Sequence, residues 1–155
     1  MDFLCPAHRN QFSELPLKER HDLWLFWMES ARSMIENGEW RDVVSLVGSA
    51  FDLACLHPQG EQPQMHTELT LSAILVFRVL SDLGERSAAE QVFYRALDSL
   101  PSDPTHLTLP QRVQVKDCVE VLLNTGRQSD FFLKHLDWRA LPIGQSRSCR
   151  VRVVH

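Results

Sequence analysis

Long apolar runs are missing from this chain. The longest, residues 69–77, is interrupted by Thr70 and Ser72 and stopped by Arg78. A membrane-spanning helix needs about 20 consecutive apolar residues, so no span is expected. The opening Met1-Asp2-Phe3-Leu4-Cys5-Pro6 carries an acid and no apolar core of signal-peptide length, which points to a soluble, cytoplasmic protein. Cysteine is present but unpatterned: Cys5, Cys55, Cys118 and Cys149 are too dispersed for a disulfide framework, and reduced thiols are expected. A nucleophile elbow, a phosphate-binding glycine loop and an H-E-x-x-H pair are all lacking. No residue nominates itself as a catalyst, and no cofactor is implied.

Basic residues are outnumbered, and the imbalance is uneven. The 155 residues carry a net charge of −4, yet from Arg139 onward there are four arginines and no acid. The body before them holds 12 basic and 20 acidic residues, a balance of −8. A surface of that sign does not release counterions from nucleic acid, so no nucleic-acid partner is expected. At 44% hydrophobic and 23% charged the composition is globular.

The apolar residues that are present recur at helical spacing. A first helix is expected from Pro16, with Leu17, Leu23, Trp24, Trp27, Ala31, Met34 and Ile35 on one face, ended by Asn37-Gly38. A second runs from about Trp40 to Leu56. Residues 57–66, rich in Pro, Gly and Gln, read as a loop. Thr67 is the expected N-cap of a third helix stopped by Gly84. Ser87 and Glu90 offer a capping box for a fourth, which ends before Pro101. Thr108 or Leu109, followed by Pro110, opens a fifth that Gly126 ends. Ser129 caps a short sixth through about Trp138. The chain divides into a leader (1–15), a helical domain (16–141) and a basic tail (142–155), in which 151–154 offers at most a lone strand.

Helix, glycine stop, short turn and helix thus occur three times, around Gly38, Gly84 and Gly126. In the second unit Ala89, Phe93, Ala96 and Pro101 follow Gly84 at five, nine, twelve and seventeen residues. Small residues there let helices approach, an aromatic fills the gap and proline ends the helix. This pattern resembles the tetratricopeptide repeat family. The first unit matches at Trp27, Ala31 and Ala50, with Val43 and Val47 where the family has alanine and an aromatic. The third departs at Phe131, His135 and Trp138, as a terminal cap does. The linkers between units are longer than the family's.

The resemblance implies an all-α fold of three stacked antiparallel hairpins in a right-handed superhelix, with the first helix of each lining a concave groove. Its offsets select Leu25, Met28, Arg32, Ile35 and Glu36, then Leu71, Ile74, Arg78, Ser81 and Asp82, then Val113, Lys116, Glu120, Leu123 and Asn124. Arg32 and Arg78 fall at the same offset, a pairing suited to a carboxylate. Met28, Leu71 and Ile74 are the expected apolar contacts for a peptide or partner helix. The competing reading makes both arginines solvated and paired with neighbouring acids. Function follows as a non-catalytic protein-binding module, a secretion-type chaperone being a narrower version and a homodimer compatible with it. A different class, a small zinc-binding regulatory protein, rests on Cys5 with His8 and Cys55 with His57, should the leader fold back over the second helix. The four tryptophans read first as structural.

Overall fold

A computed structural model describes residues 2–56 and 65–139. Among them every regular element is helical: α1 (Pro6–Ser13), α2 (Leu17–Glu36), α3 (Trp40–Ala54), α4 (His66–Asp82), α5 (Arg86–Ser99), α6 (Leu109–Leu123) and α7 (Gln128–Leu136). Single 3-10 turns, Pro104–His106 and Thr125–Arg127, precede α6 and α7. No helix of the described residues is long and apolar enough to cross a membrane. The expected tail, 142–155, the strand option within it, and the loop as far as residue 64 lie outside the described residues.

The α2–α3 and α4–α5 turns are the same structure twice. Gly38 and Gly84 take φ of 79° and 81°, the left-handed region that a side chain resists. Their N–H groups bond Ile35 and Ser81 carbonyls at 3.1 Å, and the next residues, Glu39 and Glu85, bond Met34 and Leu80 at 2.9 Å. These paired reverse bonds satisfy carbonyls that a helix end otherwise leaves open. Glu39 and Glu85 then share φ −88° and ψ 62° before each second helix begins. The third glycine behaves differently. Gly126 sits in a 3-10 turn with its N–H bonded to Asn124 Oδ1 at 3.0 Å, and α6 has already ended at Leu123.

Several expected caps move. Glu85 rather than Ser87 precedes α5, so no capping box forms there; Met65 rather than Thr67 precedes α4; and Arg127 rather than Ser129 precedes α7. Thr108 does cap α6. Its side chain takes the Gln111 N–H and Gln111 returns a bond to the Thr108 N–H, both ends of a capping box.

The helix α4 is the hub, packed against α2, α3, α5, α6 and α7. Twelve of its 17 residues are buried, on every side of the helix. Thr70 and Ser72 lie inside this enclosure, and their hydroxyls donate back to the carbonyls of His66 and Glu68 at 2.8 and 2.7 Å, so no buried hydroxyl is wasted. Trp24, Met28, Val43, Phe51, Leu75 and Val92 fill the core beside it.

The leader is not a loose extension. It contains α1, which packs on α3 and is tied down by Asp52, a carboxylate only 1% exposed. Its Oδ2 accepts the Phe3 and Leu4 N–H groups at 2.6 and 2.8 Å, and Arg95 of α5 meets Oδ1 at 2.5 Å. The Phe3 ring lies on Gly48 so closely that a Cβ there would overlap it. Gly48 is helical, so the glycine serves close approach and not backbone freedom. Gly48→Ala is therefore expected to destabilise the chain by about 1–3 kcal/mol through overpacking. In a Phe3→Ala background the same change removes a mid-helix glycine without a clash and stabilises by roughly 0.5–1 kcal/mol. Urea midpoints of the four proteins measure this reversal of sign.

Candidate functional site

The expected groove residues lie on α2, α4 and α6; α4 packs against both of the others, and α7 packs against α4 and α6. At one end, Gln128 at the start of α7 is buried, and its side-chain carbonyl accepts both Nε and Nη2 of Arg78 at 3.1 and 2.7 Å. Its amide donates to the Val121 carbonyl at 3.2 Å. Next, Phe131 and Phe132 are buried against the core. Asp137 closes α7 in a left-handed conformation, φ 58°. Trp138 follows, 1% exposed, its ring 5.4 Å from Phe132, its Nε1 donating to Glu29 of α2 at 3.3 Å, and Arg32 stacked over it at 5.4 Å.

Arg32 and Arg78 therefore contact the two ends of one segment of chain, residues 128–138. Arg32 also pairs with Glu29 and Glu36 at 4.0 and 3.7 Å, as the solvated reading anticipated for it. Burial holds the Arg78 guanidinium below its usual pKa, with Asp82 opposing the shift.

Four expected contact residues are corrected. Met28, Ile35, Leu71 and Ile74 are 0, 5, 1 and 2% exposed and belong to the core. The repeat offsets place them toward the inner face, but α4 is covered there by α6 and α7, and Trp138 covers the same stretch of α2. Leu25 remains half-buried, at the rim of a hollow shared with His21 and Leu136. Lys116 and Glu120 are exposed on α6, Glu120 paired with Arg127 at 2.9 Å.

The open part of this face is a cleft of about 420 Å³ between the last turns of α4, α5 and the α6–α7 turn. Phe77 and Phe93, with rings 5.9 Å apart, form its apolar wall. Leu123, 64% exposed, stands at its edge, while Arg78, Ser81 and Asp82 supply the polar side. Of the expected residues Arg78, Ile74, Ser81, Asp82 and Leu123 line it. Phe77, Phe93 and Gln128 complete it and were not anticipated from the repeat offsets. No sequence signal singled out Gln128, because its partner Arg78 stands fifty residues away. A wider hollow, about 780 Å³, lies between α5 and residues 100–107 and contains none of the expected residues.

The Cys/His pairs separate into different roles. Cys5 Sγ lies 3.1 Å from His8 Nδ1 and accepts the His8 N–H at 3.5 Å, so the pair caps α1. The leader does fold back over the end of α3, and Cys55 lines a recess there with Arg9 and Arg95. His57 lies outside the described residues. Among the described residues no group of three or more His, Cys, Asp or Glu side chains is arranged to hold a metal ion.

The described residues thus define an all-helical chain in which neighbouring helices pack on one another. No family model, no curated protein and no solved structure matches it.

Two measurements follow from the burial. Desolvation pushes the thiols of Cys55 and Cys118 up to about 11, whereas Cys5 is exposed. The thiolate is the nucleophile, so at pH 8 a maleimide is expected to label Cys5 in the native chain and to spare Cys55 and Cys118 until urea is added, as read by peptide mapping. Burial also holds the His66 imidazole below its usual 6.5. The unfolded chain then binds a proton that the folded chain refuses, and the stability present above pH 6.5 is lost as pH falls from there toward the lower folded value. His66→Gln is expected to show a smaller loss in urea midpoint between pH 7.5 and 5.5 than the unchanged chain. Equal losses would remove His66 as the source.

Proposed function

We propose that this chain is a non-catalytic protein-interaction module of tetratricopeptide-like architecture, three stacked hairpins in a right-handed superhelix, that holds a peptide or partner helix on its inner face. The observation that carries this reading is the cleft at Phe77, Phe93, Leu123 and Arg78. It joins an apolar wall to a half-buried guanidinium, the combination that gives a peptide its affinity through one anchored side chain and its orientation through one acceptor. The two identical glycine turns support the repeat architecture, because the same hairpin was built twice from different sequences. The third unit, with its altered turn and aromatic α7, acts as the cap of the stack.

The partner in this reading is another protein, met in the cytoplasm, with no cofactor. Arg78 favours a ligand that brings a carboxylate or a side-chain carbonyl, since a partly desolvated guanidinium binds an acceptor more strongly than an exposed one does. Leu123 and the phenylalanine pair favour an aromatic or branched aliphatic anchor.

Selection from a random-peptide library tests this. Enriched sequences are expected to combine an apolar anchor with an acidic or amide residue, and to bind Arg78→Glu/Leu123→Asp at least about tenfold more weakly, a loss of some 1.4 kcal/mol. Circular dichroism checks that the variant remains folded. Peptides that bind both proteins equally would take the cleft out of the case.

A further inference from the structure

Among the described cysteines, Cys5 is the exposed one. Cys55 is half-buried and Cys118 buried, and burial holds both of those thiols protonated. The Cys5 Sγ lies 3.1 Å from Nδ1 of His8, within the reach at which an imidazole exchanges a proton with a nucleophile. Cys5 is also the N-cap of α1, and its sulfur accepts the His8 N–H at 3.5 Å, where the positive end of a helix favours a negative sulfur. The imidazole is itself held in place. Its ring stacks on Phe12 one turn on, with centroids 5.8 Å apart and planes 13° from parallel, and Phe12 meets Trp27 of α2 edge-on. Nucleophile, base and a group that orients the base are thus all present, the arrangement that activates a thiol. The backbone beneath them is anchored through the Asp52 carboxylate at Phe3 and Leu4.

We infer that Cys5 is a redox modification site, at which its sulfur exchanges with a low-molecular-weight disulfide while His8 carries the proton. The thiol proton passes to Nδ1 of His8. The thiolate then attacks one sulfur of the disulfide, so that a new S–S bond forms to Cys5 and the original S–S bond breaks. The departing thiolate takes the proton from His8 and leaves as a thiol. Cys5 is oxidised and the released half of the disulfide is reduced, so no further oxidant enters. A second thiol reverses the step by the same route. A small disulfide suits the site because the sulfur stands on open surface and is reached without any movement of the core. The pair is separate from the Phe77–Phe93 cleft and acts whether or not that cleft binds a peptide.

Oxidised glutathione at neutral pH is the probe, with peptide mapping by mass spectrometry to follow the adduct on Cys5 itself. The native chain is expected to form that adduct at least about fivefold faster than the same chain unfolded in urea. His8→Phe keeps a ring to stack on Phe12 but offers no nitrogen to the thiol proton, and is expected to lose at least about fivefold of the native rate. Equal rates in the native and unfolded chains overturn the inference. So does a folded His8→Phe that reacts as fast as the unchanged chain. Should His8→Phe fail to fold, as read by circular dichroism, the comparison of native with unfolded chain decides.

Discussion

The enclosure of α4 is the constraint on which the remaining structure depends. A helix buried on all sides has no polar face to spend on water, so each of its polar groups must be answered locally or by a neighbour. Thr70 and Ser72 answer themselves through the preceding turn. Arg78 has the charge of Asp82 nearby on its own helix, but its Nε and Nη2 donate to an acceptor from another part of the chain. Gln128 provides one, and in doing so fixes where α7 begins and which way it lies. The start of α7 is thus tied to one arginine of α4.

Much of the fold was legible because it is local. The 3.4–3.6-residue recurrence of apolar residues and the glycine stops marked α2 to α6, and Thr108 with Gln111 marked a cap that the structure contains. Gly38 and Gly84 were recognisable as turn residues, and their matching bond patterns show that the two hairpins share one geometry. The caps at Ser87 and Thr67 failed in the same way: each helix begins one residue before the expected cap, so Ser87 and Thr67 already lie in the first turn. Helix α1 was missed since its eight residues include no buried side chain, leaving no apolar face to detect.

The site was less legible, and the reason is long-range packing. Offsets counted from a glycine tell which way a side chain points, not whether another helix stands in front of it. Met28, Leu71 and Ile74 are buried in the core by other parts of the same chain. Arg32 and Arg78, expected at one offset, meet opposite ends of residues 128–138. The aromatic departures of the last unit, Phe131 and Trp138, were visible as anomalies whose meaning depended on contacts more than fifty residues away. Asp52 is a similar case: a carboxylate between Phe51 and Leu53 is conspicuous, but its partners, Phe3, Leu4 and Arg95, are distant in sequence.

That same carboxylate sets an order on assembly. During synthesis the first residues leave the ribosome long before residue 52, and the cation that neutralises it follows a further 43 positions later. Until Arg95 arrives, seating residues 3 and 4 would bury a negative charge with only the more exposed Arg9, at 3.8 Å, as its cation, a costly arrangement in a desolvated place. Residues 3 and 4 thereby gain their full seat only once α5 has joined α3.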